Sequence, residues 1–323
     1  MLPNFAYIRP KTLKEAMKHL SAKGALIHAG GTDLLGCLRD SVFGASTLVS
    51  LADLKELRGI SETRDGGLRI GALATVTELA DHPAVQRRFP GLSQAAASVA
   101  SPQLRNQGTV GGNICQKPRC WYYRGEFHCL RKGGERCYAV AGENHYHCIL
   151  GGDRCYIVHP SDIAPALVAL DAAVKIAGPK GTRTVPVESF PVPPSVDPRR
   201  ETVLTPNEIV TEISVPPAPK GLVSSYRKVQ ARESWDFAIA GLALAVQRDG
   251  DVVKKARVVL AAAAPVPWRS REAEQALTGK RIDATVARAA AEAAVAKARA
   301  LEHNGYKIPL FRGLIEEELL ANA

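Results

Sequence analysis

The sequence predicts an α+β protein of two domains, and three observations carry that prediction. Helix and strand patterns alternate over the first half of the chain, a proline-rich stretch then breaks the texture, and beyond it a hairpin signal precedes an alanine-rich helical pattern. With 323 residues the chain has room for two or three domains. Its 46% hydrophobic and 23% charged residues suit a folded, soluble protein with a sizeable core.

The elements follow in order. Thr12 stands three residues before Glu15, a capping-box signature, so a helix is expected over Thr12 to Lys23. The apolar run Ala25 to Ala29 reads as a buried strand ending in Gly30-Gly31-Thr32-Asp33. Further strands are expected at Thr47 to Leu51 and Leu68 to Leu73, and a second capping box, Thr75 with Glu78, opens another helix. Leu92 to Ala100 and Asp162 to Asp171 read as helices, Ala173 to Ala177 as a strand, and Gly178 to Gly181 as a turn. Nine of the 21 prolines fall between Pro186 and Pro219, around one strand-like run, Glu208 to Val215, and this stretch reads as a linker or domain edge. Ile239 to Arg248 and Val252 to Ala262 flank Asp249-Gly250, which favours an antiparallel hairpin. An alanine-rich helix, Ala284 to Glu302, stopped by Asn304-Gly305, is expected to close the chain.

Several functions lose support at once. No apolar run approaches the roughly 18 residues of a membrane span, and Met1 to Lys11 lacks the pattern of a secretory signal. The chain is therefore expected in the cytoplasm. Neither G-x-G-x-x-G nor G-x-x-x-x-G-K-[ST] occurs, and no G-x-S-x-G or Ser-His-Asp arrangement suggests a hydrolase. The net charge of +10 fits nucleic acid, a membrane surface or a bound anionic cofactor.

Two glycine turns carry a more specific signal. Ala29-Gly30-Gly31-Thr32-Asp33 follows a strand, and Gly108-Thr109-Val110-Gly111-Gly112-Asn113 follows Leu104-Arg105-Asn106. Consecutive glycines let backbone N–H groups converge on an anion, and each Thr hydroxyl adds a donor. A Gly-Gly turn is more often only structural. Two in one domain suit a dinucleotide pyrophosphate held between them.

Six of the seven cysteines, Cys115, Cys120, Cys129, Cys137, Cys148 and Cys155, lie within one stretch of about 41 residues. Disulfides, a zinc site and an iron–sulfur cluster all remain open readings. Disulfides are little needed inside a cell, and no close C-x(2–4)-C pair supports zinc. Four thiolates on a cluster tolerate irregular spacing. Lys117, Arg119, Arg124, Arg131, Lys132, Arg136 and Arg154 would balance the cluster's negative charge.

Ala29-Gly30-Gly31-Thr32-Asp33-Leu34, then Thr109-Val110-Gly111-Gly112-Asn113-Ile114, then His159-Pro160-Ser161-Asp162 resemble, in order and spacing, the FAD-binding medium subunit of the molybdenum hydroxylases, the xanthine dehydrogenase family. The likeness extends over nearly the whole chain, including Tyr226-Arg227-Lys228 and Trp235-Asp236-Phe237-Ala238. It implies an FAD-binding domain of the vanillyl-alcohol oxidase (PCMH) type with two α/β subdomains over 1–219, followed by a C-terminal α+β domain of the CO dehydrogenase flavoprotein type over 220–323. The cysteine stretch, 115–157, resembles the insertion of the 4-hydroxybenzoyl-CoA reductase β and periplasmic aldehyde oxidoreductase type. That insertion binds a [4Fe-4S] cluster, here implied on Cys120, Cys129, Cys137 and Cys155. Cys115 is then a small buried side chain beside the flavin loop, and Cys148 is the residue best placed to replace a ligand.

By the same resemblance, Ala29, Gly30, Gly31, Thr32, Asp33 and Leu34, with Thr109, Gly111, Gly112 and Asn113, would cradle FAD. Ser161 and Asp162 would meet its ribityl or flavin edge, Lys228 would approach the isoalloxazine, and Trp235 and Phe237 would cover its face unless they belong to the core. The implied role is electron transfer between a large molybdopterin-binding subunit, a small subunit with two [2Fe-2S] clusters, and an external carrier such as ferredoxin. No catalytic residue, nucleic acid or membrane is implied. A periplasmic location follows instead if a signal-bearing partner carries the folded chain out. A zinc-stabilised nucleic-acid-binding module and a self-contained flavin oxidoreductase are the competing readings.

Overall fold

Three sheets organise the protein in the computed structural model, which describes residues 1–323. The first joins β1 (Ala6–Ile8), β2 (Ala25–His28) and β3 (Thr47–Ser50) in parallel, in the order β1-β3-β2. Parallel neighbours need crossovers, and helix Leu13–Leu20 supplies the one from β1 to β2. Thr12 Oγ1 caps this helix by accepting from Glu15 N at 3.2 Å, while Glu15 Oε2 accepts from Lys11 N at 2.7 Å, one residue short of a full box. Ala16 and Leu20, one turn apart, bury against Val49 and Leu51.

The second sheet is antiparallel throughout: β4 (Ile60–Glu62), β5 (Leu68–Gly71), β6 (Ala173–Gly178), β7 (Gly181–Pro186) and β8 (Ile209–Val215), in the order β4-β5-β8-β6-β7. The strand-like run in the proline-rich stretch is thus an interior strand, β8, between β5 and β6. Its prolines stand outside it, at Pro206 and Pro216, where no ladder donor is needed. The stretch is not a linker over that length. Thr75 and Glu78 complete the second capping box, and helix Val76–Asp81 starts there.

The third sheet, β12-β11-β10-β9, consists of β9 (Leu222–Val229), β10 (Ala240–Asp249), β11 (Val252–Ala261) and β12 (Trp268–Arg269). Gly250 turns the β10–β11 hairpin at φ +59°. Alternation along these strands is strict. Leu242, Leu244, Val258 and Leu260 face helices Ala284–Val295 and Lys307–Ala321, whereas Ala243, Ala245, Val259 and Ala261 share a core with Leu92, Ala95, Ile163 and Leu167 of the first 219 residues. The alanine-rich helix ends at Val295, and a further 15-residue helix, Lys307–Ala321, follows Asn304-Gly305. Pro309 in its first turn and Gly313 within it disguised that helix as a loop.

The cysteine stretch is irregular apart from helix Trp121–Arg124 and two single turns. The chain's last segment clamps it. Asn304 Nδ2 donates to His147 O and Cys148 O, both at 3.1 Å, His303 N donates to Asn144 Oδ1 at 2.8 Å, and Ile149 N and Leu150 N bond Ala263 O. No helix is long and apolar enough to cross a membrane.

Candidate functional site

The two glycine turns meet. A Cβ on Gly30 would lie 2.2 Å from Gln107 O, and one on Gly111 would lie 2.9 Å from Ala72 O, so only glycine allows this approach of backbone to backbone. Gly31 also adopts φ +73°. Thr109 Oγ1 accepts from Gly112 N at 3.1 Å and caps the short helix Val110–Ile114. The N–H groups of Gly30, Gly31, Thr32 and Asp33 make no hydrogen bond within the chain.

Between the turns opens a cavity of about 950 Å³. Ala29, Gly30, Gly31, Thr32, Asp33 and Leu34 line one side, with Thr109, Gly111, Gly112 and Asn113 opposite. Ser161 lies behind the wall, where its Oγ donates to Asn113 Oδ1 at 2.5 Å and accepts from Ala164 N. Asp162 and Lys228 line the cavity as one buried ion pair, 2.9 Å apart, their side chains 6% and 4% exposed. Tyr226 donates to Asp162 Oδ1 at 2.7 Å, and Lys228 Nζ also donates to Ser98 O at 3.0 Å. Burial raises the Asp162 pKa, against the pull of Lys228 and Tyr226. Lys228 is therefore no solvated surface lysine. Trp235 and Phe237 line the rim, 59% and 43% exposed, and so are not core; Trp235 holds φ +75°.

Asp33 does more than edge the first turn. Its carboxylate accepts from Arg124 Nη2 and from Lys117 N, both at 2.7 Å, and forms an ion pair with Arg119 Nη1 at 3.0 Å, tying the turn to the cysteine stretch. Glu201 makes the matching tie from the proline-rich segment, holding Lys117 and, at 2.8 Å, Arg131 Nη1. Two carboxylates thus pair with four of the cations that flank the cysteines and leave a local excess of positive charge. Sequence reasoning missed Glu201, which lies 70 positions from Arg131 on an irregular segment with no periodic signal.

Cys120, Cys129, Cys137 and Cys155 converge on a small second pocket with Tyr122, Tyr123, Arg131 and His147. Cys115 instead lines the large cavity, and Cys148 is buried beside Gly152 and outside the cysteine pocket, hydrogen-bonded through its N–H to Tyr156 O. A hydrogen bond from Cys137, aided by Arg131, lowers the Cys155 pKa to about 6, whereas burial lifts Cys120 to about 11. His147 Nε2 lies 3.3 Å from Cys120 Sγ, and burial, then Lys307, lowers its pKa to about 4, keeping the ring neutral. No group of three His, Cys, Asp or Glu side chains stands close enough to hold a single ion.

Unpaired N–H groups on a glycine turn beside a large cavity, with a buried Asp–Lys pair at one wall, suit a bound phosphate-bearing cofactor. The chain belongs to the FAD-binding medium subunits of the molybdenum hydroxylases and is an oxidoreductase subunit. The family model "FAD binding domain in molybdopterin dehydrogenase" matches residues 3–218, and "CO dehydrogenase flavoprotein C-terminal domain" matches 224–321. The aldehyde oxidoreductase FAD-binding subunit of Escherichia coli is 39% identical over 281 residues, 85% of this chain and 86% of that one. The carbon monoxide dehydrogenase medium chain of Hydrogenophaga pseudoflava is 31% identical, covering 91% and 87%. A solved structure of carbon monoxide dehydrogenase from the same organism superposes with a TM-score of 0.77 at 29% identity, over 98% of this chain and 96% of that one.

Proposed function

We propose that this chain is the electron-transfer subunit of a molybdenum hydroxylase complex, holding FAD in the large cavity and a [4Fe-4S] cluster on Cys120, Cys129, Cys137 and Cys155. The observation that carries this reading is the convergence of those four cysteines, and no other, on a pocket that shares Tyr123 and Arg131 with the FAD cavity. Four thiolates serve a single zinc ion or a four-iron cluster, but these stand too far apart to share one ion, which suits a cluster that takes one thiolate on each iron. Arg131 Nε and His147 Nδ1, on the pocket's lining side chains, are buried without partners, two of six such atoms in the protein. Residues 1–219 are read as the FAD domain, with 115–157 as its iron–sulfur insertion, and 220–323 as the C-terminal domain.

The chain's own groups bind, orient and exclude water. The free N–H groups of Gly30 to Asp33 would hold the pyrophosphate, Asn113, fixed by its hydrogen bond from Ser161, would meet the ribityl, and the Asp162–Lys228 pair would present a fixed dipole to the flavin. When bound, FAD supplies reversible one- and two-electron transfer. Partner chains supply the remainder: a large molybdopterin-binding subunit, where substrate reacts, a small subunit with two [2Fe-2S] clusters, and an external carrier such as ferredoxin. Aldehydes, which the Escherichia coli relative's name specifies, are the first substrate class to assay. The cytoplasm is the expected location, or the periplasm by co-export with a signal-bearing partner.

Metal and flavin analysis of the purified complex tests the reading. One FAD and four non-[2Fe-2S] irons per chain are expected, together with flavin fluorescence released on denaturation. Zinc with no extra iron would overturn the cluster, and absence of flavin would overturn the whole.

A further inference from the structure

Arg131 occupies an unusual position. Its side chain is 2% exposed, and its residue lines both the FAD cavity and the cysteine pocket. On one side Nη1 donates to Glu201 Oε1 at 2.8 Å and to Arg200 O at 3.3 Å. On the other it lines the cysteine pocket together with Cys155, with Nε buried and unpartnered. Glu201 in turn lines the FAD cavity and is itself paired with Lys117. Thiolate, guanidinium and carboxylate thus form a row of alternating charge through the wall between the two pockets.

We propose that Arg131 and Glu201 act as an opposed pair of positioning residues that set the reduction potential of the cluster held by Cys155 and couple it to the flavin cavity. The inference rests on the cluster reading above. One-electron reduction adds a negative charge to the cluster. A buried cation beside it favours the reduced form, and an anion behind that cation opposes it. Burial keeps solvent from screening Arg131, while Glu201, 14% exposed at the cavity wall, is screened more and has the smaller effect. The charge at Arg131 is constant, because a guanidinium stays protonated. The potential is therefore set by geometry: where the guanidinium is held, and by which carboxylate. A change of charge in the flavin cavity acts on the same row from Glu201's side.

The test is an EPR-monitored redox titration of the intact complex, with dithionite as the electron donor, on the wild type and on Arg131→Gln, Arg131→Lys and Glu201→Gln. Arg131→Gln is expected to disfavour the reduced cluster by at least tenfold, a midpoint about 59 mV lower for one electron. Arg131→Lys should retain part of the wild-type potential, and Glu201→Gln should shift it upward. Opposite signs are what a purely structural role does not produce. Should Arg131→Gln fail to assemble, Arg131→Lys and Glu201→Gln still decide between an ordered pair of shifts and none. Four-iron clusters with unchanged potentials, or with shifts of one sign in all variants, would overturn the inference alone. A wild-type complex without the extra four irons would remove the cluster reading first.

Discussion

Lys228 and Asp162 show what single residues contribute. The pair is buried at the cavity wall, so removing one partner strands the other charge. Lys228→Met is expected to cost about 3–5 kcal/mol in denaturant unfolding, and Lys228→Met with Asp162→Asn to recover most of it; equal losses in single and double variants would contradict this. His159 gives a pH signature. Burial lowers its pKa from 6.5 to about 4. A depressed folded-state value means the unfolded chain binds the proton first, so this contribution is complete above pH 6.5 and is lost as pH falls toward 4. In His159→Gln the stability profile should be flatter between pH 6.5 and 4 than in the wild type. Both residues were legible in the sequence as parts of motifs. Their pairing was not, because Asp162 and Lys228 are 66 positions apart and nothing local signals the contact.

Among elements, the first glycine turn and the cysteine stretch behave as one unit through Asp33. Asp33→Asn keeps the shape but removes the charge that Arg119 and Arg124 face. Flavin and iron content are expected to fall together in the purified variant, with faster proteolytic nicking in 117–124. Loss of flavin alone would show that the turn and the stretch are independent. Capping boxes, the hairpin at Asp249-Gly250 and both glycine turns were legible because each is written in residues within five positions of one another. Strand β8 was legible as a strand, Glu208 to Val215, but not as an interior one, because its partners, β5 and β6, come from far upstream. The last helix was not legible, since Pro309 with Gly313 broke the pattern of a helix that tertiary burial sustains. The four proposed ligands emerged only from a resemblance, since their gaps fit no short motif.

Across the whole molecule, the alanine face of β10 and β11 packs into the core of the first 219 residues. The two sequence units are therefore not free to move as beads on a linker. Leu244, 2% exposed on the opposite face of β10, belongs to the other core, made of C-terminal residues with Ile149 and Leu150 of the cysteine stretch. Leu244→Ala is expected to cost about 2–5 kcal/mol and to lower both the far-UV circular dichroism and the flavin-release transitions by the same amount. Separate midpoints for the two signals would mean that the units unfold independently. The net charge also changes meaning at this scale: Lys117, Arg119, Arg124 and Arg131 face only two carboxylates, Asp33 and Glu201, so two positive charges of the +10 remain in the wall between the two pockets rather than on a surface that would bind nucleic acid.

The clamp of Asn304 and Lys307 on the cysteine stretch has a temporal consequence. His147 and Cys148 reach their final places only when the segment 303–307 packs on them, and Lys307 Nζ adds bonds to His147 O and, at 2.6 Å, to Ala262 O. A ribosome delivers that segment more than 140 residues after Cys155. The thiolate pocket is therefore finished only once that later segment has been made and packed, and the nascent chain exposes its cysteines before then.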